Sequence, residues 1–207
     1  MRRKRIGIFG GSFDPVHLGH LWIAETAMER LQLDALHWIP VAQSPLKARN
    51  PLASDQQRLE MLALAVSGRD GWVVDDREIR REGVSYTVDT VEQLQAEMPD
   101  TDWYLIIGSD SLASMERWHE PEKLLRQVTL AVVQRGGQPE IEFSVLDGLV
   151  DAARVEEFRQ SVIKMPVIEI SSSEIRERVG QGSSIRFRVP RPVETYIEAN
   201  DLYPPLP

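Results

Sequence analysis

Residues 5–31 read RIGIFGGSFDPVHLGHLWIAETAMERL, and this stretch decides the fold class. The apolar run at 5–9 stops on Gly10-Gly11, the pattern of a short buried strand closed by a turn. Beyond the turn, Leu18, Leu21, Ala24, Ala27, Met28 and Leu31 recur every three or four residues. That spacing predicts a helix over 16–31, with Asp14 before Pro15 as its start signal. A strand passing through two glycines into an amphipathic helix is the first half of a βαβ unit.

The alternation continues outward from there. LHWIP at 36–40 predicts a second strand, and 43–54, rich in Pro, Ser and Asn, predicts a loop. Helical spacing returns over 55–67, and a strand is expected at 72–75. Ser85 and Thr87 mark the start of a helix over 85–98. WYLII at 103–107, ended by Gly108, predicts a central strand. Short helices are expected at 112–115 and 121–126, and a strand at 129–134. Residues 136–139 form a turn rather than a linker, and 140–162 carry no usable period. A strand is expected at 167–170, a helix at 172–179 stopped by Gly180, and a last helix at 192–199. The pattern predicts one α/β domain over residues 1–207, a doubly wound parallel sheet, with about 165–207 packed on the same domain. Ligands of such sheets bind beyond the carboxyl ends of the strands. Residues 10–20, 108–110 and 171–173 are therefore expected to meet there.

Composition narrows the function classes. The 207 residues are 42% hydrophobic and 27% charged, which suits a packed globule. No apolar run approaches the roughly 18 residues of a membrane span. The basic residues 2–5 lead into an apolar stretch that stops at Gly10, too short for a secretory segment. Cysteine is absent, so disulfides and thiolate metal sites are excluded. These features predict a cytoplasmic protein with no membrane partner. The net charge of −8 disfavours polyanions, so no nucleic-acid partner is expected. A small anionic ligand would need locally placed cations and helix N-termini.

Four segments have the chemistry for such a ligand. Gly10, Gly11, Ser12 and Phe13 form a turn whose backbone N–H groups could approach a phosphate closely. His17 and His20, three apart, are expected on one helix face, with donors that strengthen as negative charge develops. Ser171, Ser172 and Ser173 sit at a predicted helix start with Arg176 one turn on, a second anion site. Ser85, Tyr86 and Thr87 open another helix, where N–H groups and the helix dipole suit a carboxylate. Lys47 in SPLK, Arg49 and Arg135 are placed cations, and Trp118 is an aromatic platform or core residue.

HLGH within GGSFDPVHLGH resembles the [HT]-x-G-H nucleotide-binding motif of the nucleotidyltransferase superfamily. ISSSEIR at 170–176 is similar to that superfamily's C-terminal triphosphate segment. SYTVDT at 85–90 resembles the nicotinate-nucleotide adenylyltransferase family in particular, as does the ending VPRPVETYIEANDLY at 189–203. The likeness covers nearly the whole chain except 140–162. It implies a Rossmann-like nucleotidyltransferase fold and transfer of AMP from ATP to nicotinate mononucleotide, with release of pyrophosphate and without a covalent intermediate. It implies His17 and His20 as catalytic residues. ATP contacts would come from Gly10, Gly11, Ser12, Phe13, His17, His20, Gly108, Asp110, Ser171, Ser172, Ser173 and Arg176. Nicotinate mononucleotide would meet Lys47, Ser85, Tyr86, Thr87, Trp118 and Arg135. Leu46 stands where the family often has His. Mg²⁺ would arrive with ATP, with no metal site in the protein itself, and a homodimer is compatible with the pattern. Another phosphate acceptor such as phosphopantetheine, or a non-catalytic nucleotide sensor, are the rival readings.

Overall fold

The computed structural model describes residues 2–46, 50–137 and 139–205. Six strands form one parallel sheet: β1 (Lys4–Gly11), β2 (Ala35–Pro40), β3 (Trp72–Val74), β4 (Thr101–Gly108), β5 (Thr129–Arg135) and β6 (Ile163–Met165), in the order β3-β2-β1-β4-β5-β6. The chain winds outward from β1 to β3, then returns to place β4 beside β1. The strand order therefore reverses between β1 and β4, and a crevice opens beyond their carboxyl ends.

The strand sequences are nearly continuous apolar runs because both sheet faces are covered. Their side chains still alternate. Ile6 and Ile8 of β1, Leu105 and Ile107 of β4, and Leu130 and Val132 of β5 enter one core with Val88, Val91 and Leu94 of α4 (Thr87–Glu97) and with Leu124 and Leu125 of α6 (Pro121–Gln127). Phe9, Ile106, Ala131 and Val133 enter the opposite core. There they meet α1 (Leu18–Leu31), α2 (Asp55–Val66), α8 (Ser172–Gly180) and α9 (Arg191–Ala199) through residues such as Ala24, Met61, Ile175 and Ile197. Each fully buried aliphatic side chain contributes about 1.5–3 kcal/mol, so the two cores fix the sheet and hence the crevice. No helix among the described residues is long and apolar enough to cross a membrane.

Several elements differ from the sequence expectations for identifiable reasons. The strand expected at 167–170 does not form. β6 lies just before it, because Ile163 pairs with Val133 and Met165 with Arg135. Pro166 follows, has no N–H for a ladder, and Val167 is left 61% exposed. Within 140–162, α7 (Ala152–Gln160) buries only Phe158 deeply, too little for a visible period. Its start is nonetheless marked by Asp151, whose side chain accepts from the Arg154 amide. α3 (Arg77–Arg81) is a short, charged helix that hydrophobic spacing misses. α5 (Ser109–Ala113) opens directly from β4 and passes into a 3-10 turn at Met115–Arg117.

The first helix begins at Leu18, and its cap is His17 rather than Asp14. Asp14 is instead buried and takes hydrogen bonds from the amides of Leu52 and Ala53 and from the Tyr203 hydroxyl. Beside it, Arg58 of α2 is wholly buried and donates to the carbonyls of Ser12 and Val41 and to the carboxylate of Asp55. Arg58 thus fastens the turn after β1 to the segment after β2. Arg58→Met would leave both carbonyls without that donor. The expected cost is about 2–4 kcal/mol, seen as a lowered urea midpoint with an unchanged slope; a midpoint equal to wild type would show that the anchor is dispensable.

Candidate active site

The turn after β1 is held in a conformation that side chains rarely adopt. Phe13 has φ 45°, and its buried ring packs edge-on against Phe9 and His20. A Cβ at Gly11 would lie 3.0–3.3 Å from that ring, so glycine is what lets the turn close over Phe13. The backbone of Gly10, Gly11 and Ser12 is left at the crevice between β1 and β4.

His17 and His20 meet differently from two residues on one helix face. His17 is the N-cap and His20 the third helical residue. The His17 Nδ1 accepts from the His20 amide at 3.3 Å, and the His20 Nδ1 accepts from the His17 amide at 3.2 Å. The rings stack at 3.6 Å with 22° between planes. Because each Nδ1 acts as acceptor, each neutral ring carries its proton on Nε2. The helix cap therefore fixes two parallel Nε2–H donors. His17 is only 6% exposed. Burial first, and the charge of Arg135 second, push its pKa down to about 4. It stays neutral near pH 7 and remains a donor.

Two spaces open at this end of the sheet. One cleft of about 670 Å³ is lined by Gly10, Gly11, Ser12, Phe13, His20, Gly108, Asp110, Arg135, Ser172, Ser173 and Arg176. A smaller pocket beside it brings His17 together with His20, Arg135, Ser171 and Ser172. Every member of the expected ATP set therefore borders one or both of these clefts. Ser171 caps α8 by accepting from the Glu174 amide, while Ser172 donates to the carbonyl of Pro15 at 2.9 Å. Arg176 reaches back to the carbonyl of Asp14 at 2.6 Å and to Ser173 Oγ at 3.2 Å. The α8 start is thereby tied to the glycine turn, with its first N–H groups lacking intrahelical acceptors.

The second space is a cavity of about 220 Å³ on the other side of the turn, whose lining includes Ser44, Ser85, Tyr86, Thr87 and Trp118. It shares Phe9, Gly10, Gly11, Ser12, Gly108 and Ser111 with the wide cleft. The two spaces thus join over the ends of β1 and β4. Ser85 does not cap α4: its hydroxyl accepts from the Ala42 amide at 3.0 Å, pinning the loop after β2. Tyr86 occupies the N-cap position with no side-chain cap bond. Trp118 is half-buried, and its Nε1 is buried without a partner. Arg135 does not border this cavity. It ends β5 next to β6 and faces the His17 side, apart from the acceptor group in which the sequence set it. Lys47 and Arg49 lie outside the described residues.

Sequence reasoning missed two residues here. His119 stacks on Tyr86 with ring centroids 4.3 Å apart; its neighbour Trp118 drew attention instead. Glu78 of α3 lines the cavity from below and is 5% exposed. Burial raises its pKa above the ordinary carboxylate value, with hydrogen bonds from Thr90 and Ser85 and then the charge of Arg81 acting in the opposite direction.

A parallel sheet of this order, with a glycine turn, two imidazoles at a helix cap and a Ser-rich helix start at its switch point, has the groups that suit an anionic nucleotide. The cytidylyltransferase-like family model matches residues 8–178. A protein of Rhodopirellula baltica named probable nicotinate-nucleotide adenylyltransferase is 55% identical over 198 residues, covering 96% of this chain and 92% of that one. A Salinibacter ruber protein of the same name is 41% identical over 200 residues, covering 97% and 98%. The chain belongs to the cytidylyltransferase-like family, among its nicotinate-nucleotide adenylyltransferases. Its fold matches the solved Plasmodium falciparum nicotinic acid mononucleotide adenylyltransferase complexed with NaAD, with a TM-score of 0.72 at 20% identity and 97% coverage of both chains.

The depressed His17 pKa carries a sign. The unfolded chain binds this proton below about 6.5 and the folded chain only below about 4, so stability falls as pH drops between those values. In the free protein the His17 ring resonances should titrate near pH 4. Pyrophosphate, added as an anionic probe, should move that transition upward by offsetting Arg135. A free-protein transition near pH 6.5 would show that the ring is not shielded as described.

Proposed function

We propose that this chain transfers the adenylyl group of ATP to the phosphate of nicotinate mononucleotide, releasing pyrophosphate and forming nicotinate adenine dinucleotide, a step of NAD biosynthesis. The observation that carries this reading is the junction of the two spaces over Gly10–Ser12 and Gly108. One space has the anion-binding groups for a triphosphate, the other an aromatic wall and a helix start suited to a pyridine acid. A phosphate held in the second meets the α-phosphorus of a nucleotide held in the first only at that junction.

The acceptor phosphate is ionised near neutral pH, so no protein nucleophile is needed. Its oxygen attacks the α-phosphorus in line, the bond to the β-phosphate oxygen breaks, and pyrophosphate leaves with that electron pair. The protein's contribution is position and charge. The two Nε2–H donors of His17 and His20 would meet α-phosphate oxygens as charge builds there. Ser172, Ser173 and Arg176 would receive the departing pyrophosphate, with Arg135 between the two groups. Gly108 and Asp110 would border the nucleoside. Tyr86 and Thr87, at the start of α4, would offer N–H groups to the pyridine carboxylate, with Trp118 along the ring. Lys47, three positions after Ser44 in the sequence, remains our candidate for the acceptor phosphate.

No cluster of three or more His, Asp or Glu side chains that could hold a metal occurs among the described residues. A divalent cation, Mg²⁺ in our reading, would arrive on the phosphate oxygens of ATP and keep most of its water. It would supply neutralisation of triphosphate charge in a cleft whose wall carries the carboxylates of Asp14 and Asp110.

Pyrophosphate release in the presence of ATP and nicotinate mononucleotide tests the reaction. Nicotinamide mononucleotide and phosphopantetheine serve as competing acceptors, and faster turnover of phosphopantetheine would reject the assignment. His20→Ala should lower kcat about 10²–10³-fold while the KM for ATP changes only a few-fold. Equal losses in both would contradict a role confined to the transition state.

A further inference from the structure

Glu78 performs no part in the steps above, yet it is built into the acceptor cavity. Its Oε1 accepts from Thr90 Oγ1 at 2.7 Å. Its Oε2 is buried and has no hydrogen-bond partner of good geometry, although the Ser85 hydroxyl is close enough to act on the carboxyl. A buried polar atom left unpaired is costly, and this one belongs to a side chain lining a cavity that also holds Ser85, Tyr86 and Thr87. Close by, Arg81 donates to Thr90 Oγ1 at 3.1 Å, and its Nη1 is also buried without a partner. A cation and an acid thus flank the same threonine, and each has one polar atom unused.

We propose that Glu78 is the residue with which the cavity tells a pyridine carboxylate from its amide: it stays a neutral acid in the complex, its Oε2 donates a hydrogen bond to the acceptor carboxylate, and the charge of Arg81 is left for the bound anion. The inference rests on the function reading above, in which that carboxylate lies at the Tyr86–Thr87 turn. An ionised Glu78 would have acceptors only and would face a second carboxylate across a small cavity. Two carboxylates sharing one desolvated site do not both ionise readily. Burial already favours the neutral form of Glu78, and the incoming anion favours it further. An ionised Glu78 would also neutralise Arg81, removing the charge complementary to the acid. It would then suit the amide, whose nitrogen can donate to it.

The titratable and charged groups around Glu78 are Arg81 on its own helix, Asp75 just after β3, Tyr86 before α4 and His119 across the cavity. Asp75 is held by His37 and Arg77, which keep its pKa low, at about 2. It stays ionised across neutral pH and opposes a second negative charge at Glu78. The phosphate of the mononucleotide is common to acid and amide acceptors, so its titration cancels in their ratio.

The experiment measures kcat and KM with ATP for nicotinate mononucleotide and nicotinamide mononucleotide between about pH 6 and 9, using wild type, E78Q and E78A. The wild-type preference for the acid, taken as the ratio of kcat/KM values, should fall roughly tenfold or more with rising pH, the worth of one hydrogen bond to a charged group. E78Q cannot ionise, so its ratio should be flat, and at high pH its KM for the acid should lie below that of wild type. E78A should raise the KM for the acid about tenfold, with a much smaller change in kcat. A wild-type preference for the acid that is independent of pH would overturn the inference alone, as would an E78Q curve that follows wild type. The wild-type ratio decides the matter even if E78Q does not fold. Turnover of neither pyridine mononucleotide would overturn the function reading and this inference with it.

Discussion

The buried carboxylate of Asp14 is the interaction on which the geometry of the site depends. It is 4% exposed and receives the amides of Leu52 and Ala53 and the hydroxyl of Tyr203. Its own carbonyl receives Arg176. One residue in the turn after β1 thereby joins the segment entering α2, the helix α8 on the cleft wall and the end of the described chain. A desolvated carboxylate in low dielectric is tolerable only when its lone pairs are taken up, so these segments are obliged to meet there. The Tyr203 phenol shows the converse effect, its pKa driven upward by burial and by the neighbouring Asp14 charge. Arg176 lies 3.7 Å from the same carboxylate. The cation intended for a ligand anion is thus positioned by a protein anion behind it.

From that hub the two walls of the site follow. Arg58 fixes the Ser12 and Val41 carbonyls, and Ser85 Oγ holds the Ala42 amide, so the β1 turn and the β2 loop are tied on the acceptor side. Ser172 donating to Pro15 ties the opposite side. Each tie joins residues far apart in sequence across the mouth of the sheet, where strand hydrogen bonds have ended. The sheet supplies the place, through its reversal between β1 and β4, and these side-chain-to-backbone bonds supply the shape.

How much of this was legible in the sequence depends on how local each signal is. The βαβ class, the central strands and the helices α1 and α2 follow from apolar spacing, while α4 is marked by its start residues and α8, which deeply buries only Ile175, by its serines and the stop at Gly180. β6 was misplaced because Val167, Ile168 and Ile170 look like a strand by composition, while the pairing with β5 is decided by tertiary register. α3 escaped notice because it is short and mostly charged, and α7 because it deeply buries only Phe158. The HxGH pair was legible as a motif, but its geometry was not. Three-residue spacing suggested a shared helix face, whereas the structure makes His17 a cap, and the cap sets the tautomers. Arg58 and Glu78 left no sequence signal at all, since a charged residue in a short or amphipathic helix is ordinarily solvated. Only the fold reveals that the first is wholly buried and the second faces a cavity.

The burial of these ionisable groups also resolves an apparent conflict in the charge balance. A chain with a net charge of −8 that binds a triphosphate and a monophosphate needs a strongly local field, because distant charges are screened over about 8–10 Å by salt. The fold concentrates the available cations at one end of the sheet: Arg135 beside His17 on one side, Arg176 at the start of α8, and Arg81 beneath the start of α4. It also keeps His17 neutral while its ring still donates, and burial shifts Glu78 toward the neutral acid, a form that would not cancel Arg81. Neutral donors backed by a few placed cations give a site that is attractive to anions without a large standing positive charge. Such a site strengthens most where charge develops, because preorganised dipoles need not reorient during reaction.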